Sequence, residues 1–190
     1  MIDKLKHRLG ALLAGDAHDD AGDATRDAAG EPAADPRERA QVVALLQSYR
    51  ASESLNARYC GLWSRVSPDA RMRGGLRLVQ AREGTHARLM RERLKELGET
   101  QFDDVSQARQ DQAIAFFADG QRSDVRKLRE LKPMLDDFDG YFRSLMAEIE
   151  AIHGDPCTRE LLRTIIDDER STTYWFARMY KDLAGGKAAA

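Results

Sequence analysis

Arg82-Glu83-Gly84-Thr85-His86 lies inside a helical stripe made of Met72, Leu76, Val79, Glu83, His86, Met90, Leu94 and Leu97. Spacings of three and four put these residues on one face of a helix. Six are apolar and point toward a core. The other two, Glu83 and His86, stand in the middle of that face. A carboxylate taken out of water needs a cation, a hydrogen-bond network or a metal. Glu and His at i, i+3 project from neighbouring turns and can hold one ion between them. The organisation of the chain turns on whether other helices supply further ligands.

They do, at comparable positions. Upstream, residues 37–66 carry the stripe Val42, Leu46, Tyr49, Glu53, Asn56, Cys60 and Trp63, with Glu53 on the apolar line. Ser67-Pro68-Asp69 breaks this helix and starts the next, at 69–97, which Gly98 terminates. Two helices of about 30 residues joined so tightly form an antiparallel hairpin. Downstream, Asp103-Asp104 is positioned to cap a shorter connecting helix carrying Val105, Ala108, Gln112, Ala115 and Phe116, which ends near Gly120. The spacing then predicts a third helix over 122–153 with Leu128, Leu131, Leu135, Phe138, Phe142, Leu145, Ile149 and Ile152 inward. Pro133 inside it kinks the helix or marks its effective start. Gly154-Asp155-Pro156 opens a fourth helix at 156–184, with Leu162, Ile165, Glu169, Thr172, Phe176, Met179 and Leu183 inward. Here a third Glu interrupts an apolar line. No strand pattern and no Gly-rich phosphate loop is present.

The ends read differently. Residues 1–14, MIDKLKHRLGALLA, form a short amphipathic helix with Ile2, Leu5, Leu9, Leu12 and Leu13 on one face and Lys4, Lys6, His7 and Arg8 elsewhere. It is expected to dock on its own domain, on a partner protein or on a membrane surface. Residues 15–36 hold seven acidic residues against one Arg and few large apolar groups, the composition of a disordered linker. Residues 185–190 are a frayed tail.

The 190-residue chain is 42% hydrophobic and 33% charged, which fits one soluble domain over 37–184. A net charge of -2 gives no electrostatic reason to expect nucleic acid. The two cysteines, Cys60 and Cys157, form no CxxC pair, so neither a zinc motif nor a redox motif is visible, and a reducing cytoplasm is the expected location. No apolar run approaches the roughly 20 residues of a membrane span.

With Glu53, Glu83, His86 and Glu169 on three helices, residues 37–184 resemble the ferritin-like superfamily, in particular rubrerythrin-type domains. Glu53-Ser54-Leu55-Asn56-Ala57-Arg58-Tyr59 resembles the first-helix ligand segment, and Glu83-Gly84-Thr85-His86 the second-helix motif. The resemblance implies an all-α, antiparallel four-helix bundle with a crossover segment. It also implies a centre of one or two iron ions, manganese being an alternative, that reacts with dioxygen or peroxide. By the same spacing that separates Glu53 from Glu83, it places Asp139 as the third-helix acid before Glu169, with Asp136 one turn earlier as the alternative. Glu53 and His86 would serve one metal, Glu169 and Asp136 the other, and Glu83 and Asp139 would bridge. Asp replaces Glu on helix three, and Thr172 stands where the second motif has His. Asp168 is a substitute ligand that points about 100° away from Glu169 on an ideal helix. A homodimer and an external electron donor are further expectations, since the chain lacks the paired cysteines of an electron-transfer module.

Two other readings accompany this one. Glu150-Ala151-Ile152-His153 repeats the Glu-x-x-His spacing, but His153 falls at a helix end, where the helix dipole alone favours it. Alternatively, Arg50, Arg82 or Arg170 neutralises the buried Glu residues, and the chain is a metal-free helical scaffold for protein or membrane-surface interaction.

Overall fold

The structure, a computed structural model, describes residues 35–186. The amphipathic segment expected over 1–14, nearly all of the acidic linker and residues 187–190 lie outside that range. The described residues are all-helical: α1 (Pro36–Val66), α2 (Ala70–Glu96), α3 (Gln107–Phe117), α4 (Asp124–Arg129), α5 (Lys132–Asp136), α6 (Phe138–Glu150) and α7 (Pro156–Ala184).

The long helices begin where the sequence supplies an acidic cap. The Asp35 carboxylate accepts from the Arg37 amide, Asp69 from the amides of Arg71 and Met72, and Asp155 from the amide of Thr158. Pro36 and Pro156 occupy first-turn positions, where a missing N–H costs nothing. The α2 helix stops at Gly98, whose φ of 86° is open to glycine at little cost. From there the amides of Gly98 and Glu99 close back onto the carbonyls of Lys95 and Leu94.

The α1–α2 hairpin is the most extensive packing interface. It is antiparallel: Arg39 donates to the Leu97 carbonyl at one end, Asn56 meets Glu83 in the middle, and Gly61 lies against Gln80 toward the turn. The α7 helix runs antiparallel to α2, with Arg93 bonded to Asp155 and Thr158 at one end and Gly75 under Trp175 at the other. It is also antiparallel to α6, through Arg163–Glu150 and the Phe138–Tyr174 ring pair.

Near the α1–α2 turn the core is aromatic. Trp63 and Leu76 are fully buried among Met72, Phe117, Leu128, Phe176 and Met179. Phe117 lies 4.3 Å from the Tyr59 ring and 5.3 Å from Trp63, so α3 closes this end of the hairpin. Consequently α3 buries Ala113 and Phe117, one register away from the Gln112 and Phe116 that the sequence pattern selects. Only 11 residues long and with a weak stripe, α3 takes its facing from this ring stack.

The expected third helix over 122–153 is three pieces. Pro133 has no N–H to donate and sits in the first turn of the five-residue α5. Asp137, at φ -123° and ψ 56°, leaves helical geometry and caps α6 with its side chain on the Gly140 amide. The anticipated stripe still faces inward at Leu128, Leu131, Phe142, Leu145, Ile149 and Ile152.

Candidate metal centre

One turn-layer beyond the aromatic core, polar side chains replace apolar ones. From α1 comes Glu53, from α2 Glu83 and His86, and from α7 Glu169. Glu53, Glu83 and His86 are almost fully buried, at 5%, 2% and 3% exposure. The helices that present them are long and contact their neighbours near both ends.

The geometry converges on one point. His86 Nδ1 lies 3.3 Å from Glu169 Oε1 and 3.6 Å from Glu53 Oε2. These distances suit ion pairs, yet none of the three atoms has a hydrogen-bond partner of acceptable geometry. One ligand atom from each of Glu53, His86 and Glu169 lies within 4.8 Å of the others. Three buried, unpartnered ligand atoms this close together fit a cation with oxygen and imidazole ligands. The remaining side chains set the orientation. His86 Nε2 is 3.3 Å from Asp168 Oδ2, and Asn56 Nδ2 donates to Glu83 Oε2 at 3.1 Å.

The electrostatics follow from burial. Glu53 is pushed up to about 8, first by loss of water and then by the Glu169 carboxylate, while a hydrogen bond with Glu83 pulls the other way. Glu83 stands well above the usual carboxylate range, through burial and then the charges of Glu53 and Glu169. Like charges this close resist ionising together, so burial and mutual repulsion favour the protonated form within this pair. Burial depresses His86, but its contacts with Glu169, then Asp168 and Glu83, outweigh this and leave it above its ordinary value.

The sequence-selected residues divide clearly. Glu53, His86 and Glu169 come together, and Glu83 adjoins them. Asp136 and Asp139 do not. Both are exposed, and Asp136 is bound by the Lys132 ammonium at 2.5 Å. With the chain broken at Pro133 and Asp137, both acids fall at the helix break instead of mid-helix. Thr172 is buried one turn after Glu169, and its hydroxyl lacks a partner. The Glu150/His153 pair lies on the surface: Glu150 takes both oxygens to Arg163, and the His153 amide donates to Glu38.

None of the three candidate guanidiniums reaches the carboxylates. Arg50 is held by Asp104 and the Asp103 carbonyl, Arg82 by the Ser171 hydroxyl, and Arg170 lies 5.4 Å from the Phe142 ring centroid. From α6 the layer receives two residues that the stripe did not flag, Tyr141 and Glu148. The Tyr141 phenol is pushed up by burial and then by Glu169, Glu53 and Glu83. Glu148 keeps a buried oxygen without a partner, and the Tyr49 phenol is pushed up by burial and then by Glu148. Their i, i+7 spacing put them on one face, but a lone Tyr and Glu on an otherwise polar flank carried no warning.

No protein-family model, curated protein or solved structure matches this chain.

Proposed function

We propose that this protein binds one divalent transition-metal ion, iron or manganese, through Glu53, His86 and Glu169, and that it works as a ferritin-like oxidoreductase on dioxygen or peroxide. The observation that carries the reading is the convergence of three buried, unpartnered atoms, Glu53 Oε2, His86 Nδ1 and Glu169 Oε1. A carboxylate-rich set with one imidazole suits iron and manganese better than zinc or copper. The helix directions also agree with a crossover bundle: α2 and α6 both run opposite to α7.

When bound, such an ion supplies one-electron redox chemistry and Lewis acidity. The chain's own residues prepare for it. A bound cation would lower both carboxyls, so Glu53 and Glu83 would meet it as carboxylates and release to solvent the proton that burial favours. Asp168 accepts the His86 Nε2 proton and so keeps Nδ1 bare for coordination. Cys60, buried, and Tyr59, partly buried, line the apolar side of the layer. Stoichiometry is one, because Thr172 offers a hydroxyl in place of an imidazole and Asp136 and Asp139 are exposed. Electrons come from a separate donor protein.

A second reading has its own observation. His86 stands within 3.6 Å of Glu53, Glu169 and Asp168, so an imidazolium neutralises part of the cluster without metal. The protein is then a metal-free ferritin-like scaffold. Anaerobic titration with Fe(II) and Mn(II), followed by metal analysis, separates the two. One ion per chain, lost in Glu53→Ala and His86→Ala, supports the metalloprotein. Thermal stability that is the same with and without either metal, together with less than a tenth of an equivalent bound, overturns it.

A further inference from the structure

Between α2 and α7 runs an open groove of about 270 Å³ beside the buried cluster. It exists because the two helices are held apart by their ends. At one end the Trp175 indole packs on Gly75; at the other Arg93 bonds Thr158 and Asp155. Between these latches the facing side chains Ala81, Thr85 and Thr164 are too short to fill the space.

The groove is polar at one end and aliphatic at the other. Arg82 and Asp168 stand at the first end, Leu89 and Leu161 at the second, with Ile165 buried in the wall. Arg82 and Asp168 form no ion pair with each other. Arg82 has one hydrogen bond, 3.3 Å to the neutral Ser171 hydroxyl, so its charge has no anionic partner among the described residues. Asp168 gives Oδ2 to His86, while its other oxygen has no protein partner among the described residues and the side chain is 49% exposed. A head group that satisfies both must carry an anion for the guanidinium and a cationic donor for the carboxylate. Its tail must be aliphatic and short enough for a space at the lower limit of ordinary ligand sites.

We infer that the α2–α7 groove is a binding site for a small zwitterion with an aliphatic tail, the chemistry of a branched-chain α-amino acid, its carboxylate on Arg82 and its ammonium on Asp168. This goes beyond the metal reading and does not rest on it. Ligand at this place shares Asp168 with His86, so occupancy also changes how His86 is oriented.

The test uses the full chain, free of metal, with methyl groups observed by NMR. Leucine is titrated against 4-methylpentanoate, which lacks the ammonium, and 3-methylbutylamine, which lacks the carboxylate. Saturable shifts of the Thr85, Leu89, Thr164 and Ile165 methyls, with leucine at least tenfold tighter than either analogue, are the expected result. Arg82→Gln is expected to bring leucine down to the amine's affinity, and Thr164→Phe, at an exposed position, to block all three. Equal affinities for the three compounds, no effect of Arg82→Gln, or no shifts at 10 mM leucine overturns the assignment. Because no metal is present, these outcomes are independent of whether the Glu53–His86–Glu169 cluster binds iron.

Discussion

His86 and Asp168 sit on different helices, yet Nε2 of the one lies 3.3 Å from Oδ2 of the other. The contact fixes the imidazole so that Nδ1, and not Nε2, faces Glu53 and Glu169. Asp168 is a positioning residue: it touches the histidine and not the point where Nδ1 and the glutamate oxygens converge. Asp168→Asn is expected to weaken Fe(II) or Mn(II) binding by about 10- to 100-fold. Because Asp168 is half exposed, the melting temperature of the metal-free protein should change little. Calorimetric titration checks the first statement and a thermal melt the second. Unchanged affinity would remove Asp168 from the site.

Without metal, the cluster should make stability fall as pH rises. Glu53 titrates near 8 in the folded chain, far above its value when unfolded. Between those values the folded state holds a proton that the unfolded state has released, so raising pH favours unfolding. His86, also shifted upward, acts in the same direction: its contribution is present at low pH and lost through its folded titration. Urea denaturation of chelator-treated protein from pH 5 to pH 8.5 should show a loss on the order of 3 kcal/mol. Metal affinity should move the opposite way and rise over the same interval, because loading displaces protons. A flat stability profile would show that the carboxylates are hydrated and ionised.

On the proposed metal reading, Thr172 stands where the resemblance places a second imidazole. It is buried, one turn from Glu169, with its hydroxyl unpartnered. Thr172→His is expected to raise bound Fe(II) from one equivalent toward two, read by metal analysis after anaerobic loading. A value that stays at one would mean that the exposure of Asp136 and Asp139, and not the threonine, limits the site.

Two adjacent glycines in α2 should respond in opposite directions. A Cβ on Gly75 would overlap the Trp175 indole, whereas a Cβ on Gly74 meets nothing within 4 Å. Gly75→Ala should cost about 1–3 kcal/mol by forcing α7 outward. Gly74→Ala should add about 0.5–1 kcal/mol through helix propensity and a less entropic unfolded chain. Chemical denaturation of both variants checks the pair.

Beside the α1–α2 turn lies a buried polar knot. Asp124, 5% exposed, accepts from Trp63 Nε1 and from the Ser67 hydroxyl, each at 2.7 Å. Fully buried Lys127 donates to the Phe117 carbonyl at 2.9 Å, and burial lowers its ammonium despite Asp124 and Asp119. Asp124→Ala leaves two donors unpaired and the lysine without its nearest countercharge, and should cost about 3–5 kcal/mol. Urea unfolding followed by tryptophan fluorescence would measure it.

The sequence by itself determined the long helices, the Pro and Gly positions that bound them and the residues that interrupt the buried stripes. Period, Pro and Asp–Pro punctuation are local, and local signals survive without tertiary contacts. Glu53, Glu83, His86 and Glu169 were legible as misplaced polar groups for the same reason: a charge on an apolar face is visible in one dimension. Tertiary structure alone decided what lay between helices. It broke the third helix at Pro133 and Asp137, which turned Asp136 and Asp139 out to solvent. It shifted the short α3 by one residue so that Phe117 could stack on Tyr59. And it carried Asp168, about 100° from Glu169 around its own helix, onto His86 of another, because a side chain's partner depends on how two helices are rotated about their axes, which no single-helix periodicity records.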